Sequence, residues 1–310
     1  MARRGALAVL AVVLGLAVLV ADAAPTLHAV VLAGQPAPGG GVFDRFGVES
    51  LPMVAPVNAR GHVAFFATLA RGPAGEGYYL ASPAGIAKVA AEGDAAPGGG
   101  SFSGFGRHPI PALNDAGAVA FVAAVSGGRT VEGLFVAAGG RTRAVALAGG
   151  PAPGIPSGTL AGLDAPALNN QGDVVFLASV RRGRESVEAI YLYGHRERRV
   201  RKIVAQGDPA PSGGAFAGFG VPALNDRGTV VFAAVLEGRA ATGGLFVSER
   251  GTARLVVAAG DEAPGGGIFA KFSERVAVND TGVLAFNAVL KHGPTEAGVF
   301  VVDQGAAHRV

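Results

Sequence analysis

Short apolar stretches alternate with glycine-rich segments along the whole chain, and the alternation recurs at a regular interval. The clearest marker is Asn-x-x-Gly-x-x-(Ala/Val)-Phe, whose phenylalanine lies on an alternating apolar stretch. Successive marker asparagines are 56, 55, 56 and 54 residues apart. The marker residues are Asn58, Gly61 and Phe65; Asn114, Gly117 and Phe121; Asn169, Gly172 and Phe176; Asn225, Gly228 and Phe232; and Asn279, Gly282 and Phe286. The pattern predicts five copies of one structural unit.

Each copy contains four segments with the character of short strands. The first is a Pro-Ala-Leu-Asn stretch such as 222–225, and it ends at the marker asparagine. A tight turn suits this marker because asparagine bonds the backbone two residues on, while glycine accepts a positive φ. The second strand buries the marker phenylalanine, the third carries an aromatic such as Phe246, and the fourth resembles 254–259. Four antiparallel strands in this length are typical of a propeller blade.

The sequence therefore predicts an all-β fold, a five-bladed β-propeller of four-stranded antiparallel blades. Segment 28–33 resembles a fourth strand placed before the first complete copy, while the last copy stops at 308–310. We expect the strand from His28 to Ala33 to pair with the last blade and close the ring, which removes both open edges. An open β-repeat solenoid is the alternative, but it would need distinct capping repeats.

The N-terminus has the three parts of an export signal. Residues 1–4 are positively charged, 5–20 are apolar, and Ala21 and Ala23 are the small residues that precede a cleavage site. The apolar run is shorter than the ~20 residues of a membrane-spanning helix. We predict a signal peptide at 1–23, a single domain at 24–310, no membrane span after cleavage, and a secreted or periplasmic protein.

Composition excludes several kinds of site. The chain has no cysteine, so it forms no disulfide and no thiolate metal site. Its formal net charge of +3 argues against nucleic acid as the main partner. The six histidines share no repeat position, and no serine lies in a nucleophile elbow. We therefore predict no catalytic residues and expect a monomer.

The repeated signature, with a Gly-Asp-x-Ala-Pro-Gly segment ahead of it as in 260–265, resembles the "choice-of-anchor" tandem-repeat NxxGxxAF proteins of bacteria. The resemblance covers the whole mature chain. It implies a secreted or surface location and brings no activity and no catalytic residues. The chain ends without the C-terminal sorting segment of the better-known pattern, so we expect free secretion or a periplasmic location.

Two sets of aspartates recur in copies two, four and five. Asp94, Asp208 and Asp261 form one set, and Asp115, Asp226 and Asp280 form the other. Loop carboxylates at one end of the ring are possible Ca²⁺ ligands. The alternative, which we favour, is that each aspartate bonds the backbone of its own turn, because neither set has the dense spacing of a calcium loop. No other cofactor is predicted.

The third copy alone is rich in basic residues. They are Arg181, Arg182, Arg184, Arg196, Arg198, Arg199, Arg201 and Lys202. At adjacent turns of one blade they could form a patch for an acidic polymer, such as an anionic polysaccharide, teichoic acid or lipid headgroups. The alternative is a solvated hairpin that Glu185, Glu188 and Glu197 partly neutralise.

These observations favour an exported, non-enzymatic β-propeller that binds a protein or an acidic glycan outside the cytoplasm. One alternative is a carbohydrate-active hydrolase or lyase with carboxylates at a central channel. The other is a structural component of a surface or matrix.

Overall fold

The computed structural model describes residues 27–47, 55–106, 109–238, 242–303 and 306–309. The predicted signal peptide lies outside these ranges. The chain divides into two units, Met1–Val31 and Leu32–Val310, and every strand of the described ranges belongs to the second. The described ranges contain no helix, and so none that is long and apolar enough to cross a membrane.

The described strands form five antiparallel sheets, one for each repeat. The first sheet consists of β1 (Val42–Phe46), β2 (Val63–Ala70), β3 (Glu76–Ser82) and β4 (Gly85–Ala91). The second consists of β5 (Ser101–Gly104), β6 (Ala112–Leu113), β7 (Val119–Ser126), β8 (Glu132–Ala138) and β9 (Arg141–Leu147). The third consists of β10 (Thr159–Leu168), β11 (Val174–Arg182), β12 (Glu185–Gly194) and β13 (Arg199–Ala205). The fourth consists of β14 (Ala215–Phe219), β15 (Ala223–Leu224), β16 (Val230–Glu237), β17 (Gly243–Glu249) and β18 (Thr252–Ala258). The fifth consists of β19 (Ile268–Val278), β20 (Leu284–Lys291), β21 (Ala297–Asp303) and β22 (Ala306–Arg309).

Four strand positions per repeat are confirmed, but the first strand begins earlier than predicted. In the third and fifth sheets one strand, β10 or β19, runs from the glycine-proline segment to the asparagine turn. In the second and fourth sheets this strand is interrupted, and both of its pieces pair with the same second strand. The proline three residues before the marker asparagine does not by itself cause the interruption, because Pro166 lies at this position within the continuous β10. The predicted Pro-Ala-Leu-Asn strand is thus only the last part of a longer one.

The predicted closing strand is corrected by the structure. His28 to Ala33 are described, and they form no strand. The fourth position of the fifth sheet is occupied by β22, which pairs from Phe300–Arg309 to Asp303–Ala306. The last repeat therefore keeps its own fourth strand, which leaves no vacant position for the N-terminal segment.

The predicted asparagine turn is confirmed. In the fourth repeat, Asn225 Oδ1 accepts hydrogen bonds from the backbone N–H groups of Arg227 (3.1 Å) and Thr229 (2.9 Å). Gly228 has a φ of 78°, a conformation that glycine adopts without steric cost. The same asparagine donates from Nδ2 to the carbonyl of Asn279 in the next repeat at 3.0 Å. The marker asparagine therefore shapes its own turn and joins it to the next sheet.

The marker phenylalanines form the core, as predicted. Phe121, Phe176 and Phe232 are fully buried, and Phe232 stacks on Phe246 of the third strand at a centroid distance of 5.7 Å. Four apolar clusters join the first sheet to the second, the second to the third, the third to the fourth, and the fourth to the fifth. Among the described residues, no such cluster joins the fifth sheet to the first.

Candidate ligand groove

A row of three residues crosses the first three strands of every sheet, directly after a β-bulge in the first strand. In the second sheet, for example, Gly104 lies opposite Ala124, and Ala124 lies opposite Glu132. We call this feature the cross-strand row. The five rows are Arg45, Thr68 and Glu76; Gly104, Ala124 and Glu132; Gly162, Ser179 and Glu188; Gly218, Val235 and Gly243; and Lys271, Val289 and Ala297.

In the first three sheets the row ends in a glutamate that reaches the next sheet. Glu76 Oε1 accepts a hydrogen bond from Phe105 N at 2.8 Å, and Glu132 Oε1 accepts one from Leu163 N at 2.7 Å. The corresponding bond from Phe219 N to Glu188 Oε2 is longer, at 3.4 Å. These three glutamates therefore fill the gaps between consecutive sheets.

Each glutamate meets a glycine of the following row. A methyl group on Gly104 would lie 3.4 Å from Glu76 Oε1. The equivalent distances are 3.9 Å from Gly162 to Glu132 and 3.7 Å from Gly218 to Glu188. A long side chain at any of these glycines would compete with the carboxylate for the same space. Glutamate and glycine thus form a matched pair across each of the first three interfaces.

The interface between the fourth and fifth sheets has the opposite composition. Gly243 occupies the position of the glutamate, and Lys271 occupies the position of the glycine. A pocket of about 500 Å³ lies here, lined by both residues together with Phe219, Phe272 and Val235. We call it the apolar pocket. Without a glutamate side chain, the gap between these two sheets remains open.

A second pocket, of about 250 Å³, lies at the interface between the second and third sheets. Its lining includes Glu132, Asp164 and Ser179. We call it the acidic pocket. Glu188 lines both pockets, so we treat the two together as one ligand groove.

The charge of the ligand groove is mainly negative. Glu132, Asp164, Glu188 and Glu274 line it, with Lys271 as its cation. Burial raises the pKa of Glu132 above the ordinary glutamate value, and the charge of Asp164 adds to the increase, while the hydrogen bond from Leu163 N opposes it. Small and aromatic side chains form the rest of the wall. The groove can therefore receive a ligand with hydroxyl or positively charged groups on one part and an apolar face on another.

Sequence reasoning missed these carboxylates. Glu76, Glu132 and Glu188 are spaced 56 residues apart, each two positions before the third-strand doublet, so a repeat signal was present. Asp164 and Glu274 each lie five residues before the marker asparagine of their own repeat, a weaker signal that only copies three and five share. Only the packing of consecutive sheets brings these two beside the repeated glutamates.

The first predicted aspartate set lies after the fourth strands. The carboxylates of Asp94, Asp208 and Asp261 each accept a hydrogen bond from the backbone N–H of the residue three positions earlier, at 2.9, 2.8 and 2.8 Å. Asp94 also pairs with Lys88 at 2.6 Å, and Asp208 pairs with Lys202 at 2.8 Å. These contacts match the backbone-bonding interpretation of the set.

The second aspartate set surrounds a depression of about 280 Å³ that all five asparagine turns line. Asp115 accepts from Ala59 N (2.8 Å), Asp226 from Asn170 N (2.7 Å) and Asp280 from Asp226 N (2.8 Å). The hydrogen bond from Ala59 N, then that from Asn170, lowers the pKa of Asp115 below its ordinary value. Within the described ranges, no three His, Asp or Glu residues are grouped as a metal site. Ca²⁺ binding by either set stays a prediction.

The basic residues of the third repeat do not form one patch. Arg181, Arg182 and Arg184 lie at the hairpin between β11 and β12, whereas Arg196, Arg198, Arg199, Arg201 and Lys202 lie at or after the next hairpin. Successive hairpins of an antiparallel sheet lie at opposite ends, here separated by roughly 30 Å of strand at ~3.3 Å per residue. Arg182 is paired with Glu185 at 2.8 Å. The expected single patch is therefore divided into two groups.

Several solved structures have a similar fold. An oligogalacturonate lyase in complex with manganese is 14% identical, with a TM-score of 0.49 over 89% of this chain and 71% of that one. The β-propeller domain of the Trilobed protease from Pyrococcus furiosus is 10% identical, with a TM-score of 0.42 over 86% and 85%. TolB from Acinetobacter baumannii is 12% identical, with a TM-score of 0.41 over 83% and 56%.

Comparison with curated proteins gives no match. A family model described as "Family of unknown function (DUF7453)" matches residues 9–307, which is nearly the whole chain. The chain belongs to this family, DUF7453.

Proposed function

We propose that the chain is a five-bladed β-propeller that acts outside the cytoplasm as a non-enzymatic binding module, with the ligand groove as its binding site. The observation that carries this proposal is the apolar pocket at the fourth interface, where Gly243 replaces the glutamate of the other rows. Its volume of about 500 Å³ lies within the ~300–1,000 Å³ that is common for ligand pockets.

The lining of the groove indicates the chemistry of the ligand. Carboxylates accept hydrogen bonds from hydroxyl groups and attract cations, and Glu188 is available for this because its bond to Phe219 N is long. Phe219 and Phe272 offer half-buried aromatic surface for a sugar face or an aliphatic side chain. We therefore favour a glycan rich in hydroxyl or amino groups, or a basic segment of another protein, as the occupant.

An array of neutral, amino-bearing and acidic glycans together with basic peptides tests this proposal. Val235→Trp places a large ring in the apolar pocket from a position that is 57% exposed, so it fills the site without disturbing the core. Val131→Trp is the matched control, because Val131 is 74% exposed and lies outside the groove. We expect the wild type and Val131→Trp to share the same array signals and Val235→Trp to lose them. Signals that Val235→Trp retains in full would contradict the proposal.

The pairing of residues between successive cross-strand rows supports closure of the ring. A glutamate meets glycine at three interfaces, and glycine meets Lys271 at the fourth. If the fifth sheet packs on the first, Ala297 meets Arg45, so a small residue again faces a long cation. Val299 is 52% exposed, whereas its equivalents Leu134, Ile190 and Leu245 are fully buried against the next sheet. Packing of the fifth sheet on the first would bury Val299 in the same way. We therefore propose closure by sheet packing.

Export through residues 1–23 is part of the proposal, and the tripartite sequence pattern supports it. The resemblance to the NxxGxxAF proteins agrees with an extracytoplasmic location. Cell fractionation with N-terminal sequencing of the mature protein tests this part. We expect a secreted or periplasmic protein that begins at about Ala24. A cytoplasmic protein that retains Met1 would contradict it.

The acidic pocket supports a second candidate function, a carbohydrate-active hydrolase or lyase. Such enzymes pair a carboxyl group that keeps its proton with a second that stays charged. Glu132 has a raised pKa and shares its pocket with Asp164 and Glu188. A screen of polysaccharides for newly formed reducing or unsaturated ends tests this alternative. Products from the wild type that disappear in both Glu132→Gln and Asp164→Asn would favour it, and no products from the wild type would reject it.

A further inference from the structure

The outer strands of three consecutive sheets carry arginine at one equivalent position. Arg143 lies opposite Val136 in the second sheet, Arg201 opposite Leu192 in the third, and Arg254 opposite Val247 in the fourth. Each of these partners directly follows the aromatic residue of its third strand. We call the three residues Arg143, Arg201 and Arg254 the arginine ladder.

The first two ladder residues reach the next sheet. The guanidinium of Arg143 lies 4.8 Å from the ring centroid of Tyr193, and its Nη2 is 3.3 Å from His195 Nδ1. Arg201 approaches the hairpin of the fourth sheet, since a methyl group on Gly251 would lie 3.2 Å from Arg201 Nη1. The ladder is thus one continuous surface across three sheets, with a spacing of at least about 10 Å per sheet.

More arginines flank the ladder at the same end of the sheets. The hairpins between third and fourth strands add exposed side chains, which are Arg141, Arg196, Arg198, Arg199 and Arg250. Five acidic residues lie at the same end of these three sheets, namely Asp173, Glu197 and Glu249, with Asp115 and Asp226 on the asparagine turns. Asp173 accepts a hydrogen bond from His195 N at 2.8 Å, and the Glu197 carboxylate lies against Gly194. The surface therefore has a clear excess of positive charge.

Within the described residues, none of these eight arginines has a carboxylate within ion-pair distance. By contrast, Arg182 at the opposite end of the third sheet pairs with Glu185, and Lys202 pairs with Asp208. Arg254 and the five flanking arginines are exposed and thus available to an external anion, while Arg201 is half-buried and Arg143 is held against Tyr193 with its Nη1 buried. Guanidinium groups suit this role because they hold carboxylate and sulfate groups with two parallel hydrogen bonds.

We propose that the arginine ladder and its flanking arginines bind an extended anionic polysaccharide. A single small anion would occupy only one of the three sheets, whereas a polymer with regularly spaced anionic groups can contact all of them. A membrane surface fits less well, because peripheral binding generally inserts apolar side chains. None of the large apolar side chains exposed in the described ranges lies on these three hairpins.

The surface is distinct from the ligand groove. The groove lies at Glu132, Glu188 and Gly243 of the third strands, and each ladder arginine pairs with a residue four positions further along the same strand. Polysaccharide binding at the ladder therefore does not depend on the proposed groove ligand. Both sites can be tested in the same protein.

Binding to immobilised heparin and to alginate tests the proposal. The ladder variant Arg143→Gln, Arg201→Gln and Arg254→Gln is compared with the control Arg129→Gln, Arg181→Gln and Arg184→Gln. The control removes the same charge at exposed positions of the hairpins at the opposite end. We expect the ladder variant to lose about tenfold or more in affinity and the control to change less than about twofold. The affinity of the wild type should fall steeply as salt increases.

A second variant keeps the test valid if the ladder variant does not fold. Arg141→Gln, Arg196→Gln and Arg250→Gln changes exposed residues at the hairpins, so we expect normal folding and a several-fold loss of affinity. Equal losses in the control and in either test variant would overturn the proposal, as would binding that does not respond to salt. Binding to anionic vesicles or to duplex DNA, without binding to either polysaccharide, would also overturn it.

Discussion

The first three sheet interfaces and the fourth use the same cross-strand row, but different side chains fill it. In the first three, a glutamate of one sheet lies against a glycine of the next and accepts a backbone hydrogen bond. In the fourth, Gly243 stands at the position of the glutamate and Lys271 at the position of the glycine, and a pocket of about 500 Å³ remains between the sheets. The comparison shows how two substitutions in a repeated scaffold leave open a gap that the repeated glutamate otherwise fills.

The third interface is intermediate between these two forms. Its glutamate, Glu188, is present, but the bond to Phe219 N is 3.4 Å long, and the side chain lines both pockets of the ligand groove. Glu132 is more firmly held, at 2.7 Å from Leu163 N. The same residue type therefore makes a short backbone hydrogen bond at one interface and a long one at the next.

The largest expected effect is a difference in unfolding free energy between a variant of the shared core and a variant of the groove wall. Phe232→Ala removes a fully buried ring between the third and fourth sheets and should lower the free energy of unfolding by ~3–5 kcal/mol. Val235→Ala, three residues later on the groove wall, should change it by less than about 0.5 kcal/mol. Chemical denaturation measures both. Similar losses for the two variants would show that the groove wall is part of the core.

A smaller effect should distinguish the glutamates. Glu132→Ala leaves the N–H of Leu163 without its 2.7 Å acceptor and should lower the free energy of unfolding by about 1 kcal/mol. Glu188→Ala should lower it by less than about half of that, because its bond is already long. The same denaturation measurement applies. A larger loss for Glu188→Ala would contradict the assignment of Glu188 to the ligand.

The pH dependence of stability should also show that burial at its interface raises the pKa of Glu132. Because its pKa is raised, the folded chain keeps a proton that the unfolded chain has already released. The stability of the wild type relative to Glu132→Gln should therefore be greatest below the ordinary glutamate pKa and fall as the pH rises above it. Unfolding midpoints measured across this range test the sign.

Asp115 serves as a control, because its contribution to stability should depend on pH in the opposite direction. Its pKa is lowered, so its contribution is present above the ordinary aspartate pKa and lost as the pH falls. The advantage of the wild type over Asp115→Asn should thus shrink towards acidic pH. If both variants followed the same trend, the two carboxylates would not differ as described.

The smallest effect concerns the asparagine turns, which join consecutive sheets alike at all four interfaces. Asp226→Ala removes the acceptor of two hydrogen bonds from Asn170, at 2.7 and 2.8 Å. We expect a small decrease in Tm that is equal in calcium and in a chelator. A wild-type Tm that rises with calcium, with no rise in the variant, would instead support the calcium prediction for this aspartate set.

Much of the fold could be predicted from the sequence because its signals are local. The asparagine turn, the alternation around Phe232 and the four strand positions each occupy a few neighbouring residues. The groove could not be predicted in this way, since Glu132 and its partner Gly162 are 30 residues apart on different sheets. The grouping of the arginines was wrong because neighbours in sequence, such as Arg184 and Arg196, lie at opposite ends of β12.

The proposed ring closure would create a fifth interface, between the last sheet and the first. Pro73, Arg129 and Pro294 are exposed at equivalent hairpins of the first, second and fifth sheets, and the chain has no native cysteine. Spin labels on cysteines introduced at 73 and 294, and separately at 73 and 129, allow the two distances to be compared. If the proposed ring closure is right, the distance from 73 to 294 equals that from 73 to 129, because the fifth sheet then packs on the first as the second does. A clearly longer distance from 73 to 294 would contradict it.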